Sequence, residues 1–217
     1  MNWLPFLGAL ALFLSGSLVR AYRWGCLVWA LGVQVRWWRL VALYFVGAFF
    51  SWLLPTGVGG DAVKMYELSR TDHEAAPAIS SVLVDRFLGL FVLFALALVL
   101  YLLTLAPGPL GGDAGEFQAA ARVWGLSHPT GYPLYMVLLK VWALLPIGSV
   151  AYRANLLAAV LAAAATGLFF SLLQLITRQT LGSVVGALML AFSPLFWSQA
   201  VIADKYALNA LLIAGVL

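Results

Sequence analysis

The sequence predicts an all-α, polytopic integral membrane protein, and three observations carry that reading. Only 9% of the 217 residues are charged, the mean hydropathy is +1.00, and the apolar residues fall in long unbroken runs. An ordinary soluble domain carries about 25% charged residues. Nine per cent cannot cover a water-soluble surface of this size, which excludes a cytosolic enzyme. A chain that is 64% hydrophobic is not disordered either. Backbone groups in lipid must be satisfied within their own segment, so the runs are helices, and they lack the alternation of barrel strands.

The runs give roughly five to seven hydrophobic helices. The first is 3–19, with Pro5 in its opening turn; no basic residue precedes it, which disfavours a signal peptide. The run 40–54 would reach only about 22 Å as a helix, against a hydrocarbon core of about 30 Å. Residues 87–106 form the clearest span, without a single charge. Runs at 132–146, 154–176 and 181–192 follow. A last helix is expected from 195 to the end, with Asp204 and Lys205 inside it. Because the chain stops within the apolar run 206–217, a truncated product is expected.

Charge sets the expected sidedness. Seven of the 12 basic residues, Arg20, Arg23, Arg36, Arg39, Lys64, Arg70 and Arg86, precede the uncharged run. The positive-inside rule puts them in the cytoplasm. The short run 40–54 then reads as a re-entrant hairpin, with a tilted crossing as the alternative. The 87–106 helix runs outward, and 107–131 face the extracytoplasmic side. The single Cys26 excludes an internal disulfide framework, and His73 and His128 are too far apart in sequence to suggest a metal motif. The net charge of +4 is scattered, so no nucleic-acid partner is expected.

Two short segments concentrate chemistry. In the first, Pro55, Gly57, Gly59, Gly60 and Asp61 follow the short run. The glycines permit positive φ, and Asp61 reads as the cap of a helix over 61–70 whose Lys64, Glu67 and Arg70 share a face. A solvated interfacial helix explains these residues. A lipid-headgroup site built from Gly59, Gly60, Asp61, Lys64 and Arg86 is the sharper alternative. The pieces RAYRWGCL, FFSWLLPTGVGGDAVKMYELSR and SSVLVDRFLGL resemble the lysylphosphatidylglycerol synthase transmembrane, or flippase-like, family. That resemblance implies lipid-linked substrates and a partial domain over 1–94.

The second segment gathers Asp113, Glu116, His128 and Tyr132 in one loop after the outward helix. Asp-x-x-Glu is also the capping-box pattern, so a structural role competes with acid–base chemistry. For the latter, a partly desolvated carboxylate would serve as base, with Arg122 or Arg153 facing a phosphate; Lys140 and Lys205 either mark sites or snorkel. The pieces YLLTLAPGPLGGDAGEFQAAA, HPTGYPLYMVLL, YRANLLAAV and FSPLFWSQAVIADKYALNALL resemble the N-terminal part of a protein O-mannosyltransferase-like family of GT-C membrane glycosyltransferases. That family shows Glu-Val-Tyr where this chain has Asp204-Lys205-Tyr206.

The second resemblance covers 95–217. It implies a polyprenyl-phosphate-linked sugar donor and a hydroxyl acceptor such as protein serine or threonine. Asp113 would be the base, Glu116 its support, and His128, Tyr132 and Arg153 would bind substrate. No metal or other cofactor is expected. A multi-pass protein of a bacterial or archaeal plasma membrane is expected. The two resemblances meet inside the helix at 87–106, which suggests a fusion. A flippase-like lipid-handling protein is the alternative function, and a non-catalytic fragment or fusion is the second alternative.

Overall fold

A computed structural model describes residues 3–53, 59–72, 75–123 and 125–216. Among them there are ten helices and no strand: α1 (Leu4–Ala30), α2 (Trp37–Leu53), α3 (Gly59–Asp72), α4 (Ala75–Leu103), α5 (Gly112–Val123), α6 (Pro133–Trp142), α7 (Val150–Thr177), α8 (Thr180–Ala191), α9 (Pro194–Ala200) and α10 (Tyr206–Val216). Among the described residues α1, α4 and α7 are long and apolar enough to cross a membrane. The bent pair α8–α9 makes a fourth if it counts as one span. This is an all-α integral membrane protein. Much of α1 and α4 is bare, with Phe6, Leu12, Phe13, Phe87, Phe91 and Leu103 exposed. Side chains like these need lipid around them.

The chain divides into two compact units, Met1–Leu88 and Gly89–Leu217, with the boundary inside α4. In the first, Trp24, Val28, Leu40, Leu43, Leu68 and Val82 form the core. The buried Trp24 indole N–H donates to Ser81 Oγ at 3.2 Å, which satisfies a polar group that burial would otherwise penalise. The structure changes the reading of the short run at 40–54. α2 is uninterrupted through 17 residues, about 26 Å long, so no hairpin turn lies within it. The return leg is α3, which packs back along α2. A Cβ added to Gly60 would lie 1.9 Å from Ser51 Oγ and 2.1 Å from the Gly47 carbonyl oxygen. Gly60 therefore serves close helix approach. Gly59 and Gly60 lie in the first turn of α3, and among the described residues the positive-φ glycines are Gly32, Gly112, Gly131 and Gly148. The expected turn at Pro55 and Gly57 lies outside the described residues.

The second unit is built around α7. It buries Ala154, Ala158, Ala162 and Ala165 along one side, and their small side chains let neighbouring helices come close. Ser149 caps its start, accepting from the Tyr152 N–H at 3.1 Å. Pro194 has no N–H to continue α8, so the chain bends by 64° between α8 and α9. At this bend the Tyr101 hydroxyl donates to the Ala191 carbonyl at 3.0 Å, and the Trp197 indole N–H donates to Thr104 Oγ1 at 2.9 Å. The expected helix from 195 to the end is two helices. α9 stops at Ala200, and 201–205 form an irregular break that holds Asp204 and Lys205. Burying both charges on an apolar helix would be costly. The break instead turns Lys205 toward a carboxylate.

Candidate functional site

The site is assembled by one buried amide. Asn155, on α7, is fully buried. Its Oδ1 accepts from Gln118 Nε2 at 2.8 Å and from the Ala203 N–H at 2.9 Å, and its Nδ2 donates to the Ala106 carbonyl at 2.7 Å. Gln118 in turn accepts from the Leu110 N–H at 3.0 Å, and the Ala106 N–H donates to the Val201 carbonyl at 3.1 Å. The 104–111 connection and α5, which follow one another in sequence, are thereby fixed to α7 and to the distant 201–205 break. Gly115 is needed for this approach, because a Cβ there would lie 2.2 Å from the Leu110 carbonyl oxygen.

This scaffold sets Lys205 against Asp113. The Lys205 ammonium lies 3.0 Å from Asp113 Oδ2 and 3.4 Å from Asp204 Oδ1. It also sits over three aromatic rings, 4.9 Å from the Tyr206 centroid, 5.0 Å from Tyr132 and 5.4 Å from Phe117. Cation–π attraction favours an ammonium held this way. Its side chain is 15% exposed, whereas that of Asp113 is 56% exposed. The hydrogen bond and charge of Lys205 hold the Asp113 carboxyl below the usual carboxylate range. Burial works against the Lys205 charge, but Asp113 and Asp204 outweigh it and raise its pKa.

Glu116 does not act as a capping box. Its Oε2 lies 2.8 Å from His128 Nδ1, and its Oε1 accepts the His128 backbone N–H at 2.5 Å. A carboxylate only accepts, so Nδ1 carries the proton and Nε2 faces Asp113 Oδ2 at 3.9 Å. The hydrogen bonds from His128 hold the Glu116 carboxyl below its usual range. Phe117 is fully buried beneath this corner, with ring centroids 5.9 Å from His128, 5.8 Å from Tyr132 and 5.1 Å from Tyr135. Tyr132 takes a left-handed backbone, φ 41°, at the start of α6. That conformation costs a non-glycine residue about 1–2 kcal/mol. It accompanies the placement of the ring beside Lys205.

The structure thus brings Asp113, Glu116, His128 and Tyr132 together and adds Lys205, which sequence reasoning did not place in the site. Arg153 is engaged elsewhere. Its guanidinium donates to the carbonyls of Ala143, Leu145, Gly148 and Ser149, bracing the connection between α6 and α7. The donors expected to orient a phosphate are taken up by backbone. Arg122 lies in the last turn of α5, nine residues and about 13 Å along the helix from Asp113.

In the first unit Asp61 is not a helix cap. Its two oxygens meet Lys64 Nζ at 3.0 Å and Arg86 Nε at 2.7 Å. Lys64 also lies over the rings of Tyr44 and Trp24, at 4.9 and 5.8 Å. Asp61, Lys64 and Arg86 therefore form one cluster, beside the close contact made by Gly60. Among the described residues no group of three metal-ligating side chains is present.

Comparison with known proteins gives two family matches, over 1–127 and 113–217, which overlap at 113–127. Residues 113–217 match the family model of the protein O-mannosyl-transferase TMEM260 N-terminal domain. Protein O-mannosyl-transferase TMEM260 of Mus musculus is 36% identical over 126 residues, which are 58% of this chain and 18% of the mouse protein. Protein O-mannosyl-transferase tmem260 of Dictyostelium discoideum is 28% identical over 126 residues, 57% of this chain and 15% of that protein. The chain spans less than a fifth of the length of these relatives. Both come from eukaryotes, which overturns the expected bacterial or archaeal plasma membrane and leaves the integral-membrane assignment standing. No solved structure gives a significant match. The match that covers most of the chain, residues 1–127, is to the lysylphosphatidylglycerol synthase TM region, and the chain belongs to that family.

Proposed function

We propose that the second unit acts in membrane glycosyl transfer, passing a sugar from a polyprenyl-phosphate donor to a hydroxyl acceptor such as a protein serine or threonine. The observation that carries this reading is the half-exposed Asp113 carboxylate at the start of α5, beside His128 and Glu116 and outside the long apolar helices. A carboxylate in that position can accept the proton of an attacking hydroxyl. Glu116 fixes the tautomer of His128, so that Nε2 can relay that proton. The names of the mouse and Dictyostelium relatives support the same chemistry. The sidedness expected from the charges puts the cluster on the extracytoplasmic face.

The test is transfer of labelled mannose from polyprenyl-phosphate mannose in vesicles containing the chain. Transfer that Asp113→Asn abolishes is expected; no transfer by the unaltered chain would end this reading.

A second reading concerns the first unit, where Lys64 and Arg86 enclose Asp61. Two cations around one acid would suit an anionic lipid headgroup, in keeping with the lipid-handling family. Lipid translocation in vesicles, lost in Asp61→Asn, is the corresponding expectation.

A further inference from the structure

We propose that Lys205 is the cation that receives the donor's phosphate, and that its transfer from Asp113 to that phosphate releases the base. This rests on the sugar-transfer reading. A phosphate approaching Asp113 meets three carboxylates, Asp113, Glu116 and Asp204, and a cation must offset them. Arg153 is committed to backbone carbonyls, and Arg122 is far along α5. Lys205 is already in place, bonded to the carboxylate proposed as base.

The surroundings of Lys205 suit a change of partner. The rings of Phe117, Tyr132 and Tyr206 hold the ammonium from the sides without bonding it directionally. A short rotation exchanges the Asp113 oxygen for a phosphate oxygen while the ammonium stays among the rings. While the pair is closed, Asp113 is occupied by a donor and is a weak base. Once phosphate takes the ammonium, Asp113 Oδ2 is open to the acceptor. The acceptor oxygen then bonds to the sugar's anomeric carbon as the bond from that carbon to the phosphate oxygen breaks. The electron pair stays on the phosphate oxygen facing Lys205, and the acceptor's proton passes to Asp113. Substrate binding and base activation become a single event.

The test measures binding of farnesyl phosphate to the full chain in nanodiscs of neutral lipid, by calorimetry, with inorganic phosphate as the second probe. A charge-assisted hydrogen bond implies that Lys205→Met weakens farnesyl phosphate by about tenfold or more. Lys205→Arg should retain most of the affinity. Asp113→Asn should bind it more tightly than the unaltered chain, since the competing carboxylate is gone. This last sign separates the proposal from a purely structural ion pair, which would bind no better after Asp113→Asn, and it stands even if Lys205→Met fails to fold.

Unchanged affinity in Lys205→Met, or weaker binding in Asp113→Asn, would overturn the assignment. Equal affinity for inorganic phosphate would also overturn it as a donor site. If farnesyl phosphate binds through Lys205 but mannose is never transferred, the transfer reading fails and the release of a base with it, while Lys205 stands as the cation of a lipid-phosphate site. If Lys205→Met transfers mannose at the unaltered rate, the assignment of Lys205 fails and the transfer reading stands.

Discussion

The two units each hold an aspartate on a cation near the start of a helix, and they use it differently. Asp61 is 16% exposed and has two cations, Lys64 and Arg86. Asp113 is mostly exposed, shares one ammonium with Asp204, and has an imidazole at 3.9 Å. An acid enclosed by two cations is saturated. An acid that shares its cation can be set free by anything that draws that cation away. On the proposed reading the same residue type is a fixed counterion in one unit and a releasable base in the other.

The largest expected effect would break this contrast outright. Asp113→Asn should reduce mannose transfer by about 100- to 10,000-fold, the range of general base catalysis, while Asp61→Asn leaves the chemical step intact. Equal losses in single-turnover assays would show that the two acids are not different in kind. The next effect concerns the scaffold. Asn155→Leu strands the Ala203 N–H, the Ala106 carbonyl and Gln118, and should cost about 3 kcal/mol or more in a reversible unfolding titration. Loss of transfer should accompany it, with the first unit's helicity retained.

The matching lesion in the first unit is Gly60→Val. Its Cβ would collide with Ser51 and the Gly47 backbone, and overpacking of this sort costs about 1–3 kcal/mol. Crosslinking between cysteines placed on α2 and α3 should fall. A pH titration sharpens the contrast further. Asp113 and Glu116 both have lowered pKa values in the folded chain. Each therefore contributes stability that is present above its ordinary value, near 4, and lost as pH falls through the lowered one. Hydrogen-exchange protection of residues 125–131, taken relative to the intrinsic exchange rate at each pH, should fall below about pH 4 and be flat above about pH 6. The smallest effect is expected for Arg23→Gln. The Arg23–Asp85 pair is 2.8 Å long but exposed, so stability should change by less than about 1 kcal/mol.

Much of this was legible in the sequence, and each miss has a physical cause. Apolar length alone identified α4 and α7, because lipid imposes one requirement along a whole segment. Asp113, Glu116, His128 and Tyr132 were legible as a group because they lie within one connection. The role of Glu116 was not, since Asp-x-x-Glu reads identically whether the glutamate turns back to the helix start or across to His128. Lys205 was legible only as a charge that marks a site or snorkels; its place beside Asp113 was not, because that partner is 92 residues away and the scaffold joining them is an unremarked asparagine. The Asp204-Lys205 pair inside an apolar run was the available signal, as two adjacent charges there favour a helix break. Arg153 misled for the opposite reason: a lone arginine after a connection suits a carbonyl brace as well as a phosphate.

The bend between α8 and α9 has a mechanical consequence. A proline in a helix that crosses lipid usually leaves a carbonyl in search of a donor, which makes the kink a point of give. Here Ser193 donates to the Leu190 carbonyl that Pro194 leaves without a helical partner, Tyr101 donates to the next carbonyl, Ala191, and Trp197 ties the far side of the bend to Thr104. Straightening the segment would sever the last two ties at once, and the Tyr101 tie is buried, where no water can replace it. The elbow is braced at two points, so the 201–205 break and its lysine hang from a stiffened bracket, and exchange of the lysine's partner asks for side-chain motion and no movement of the bend.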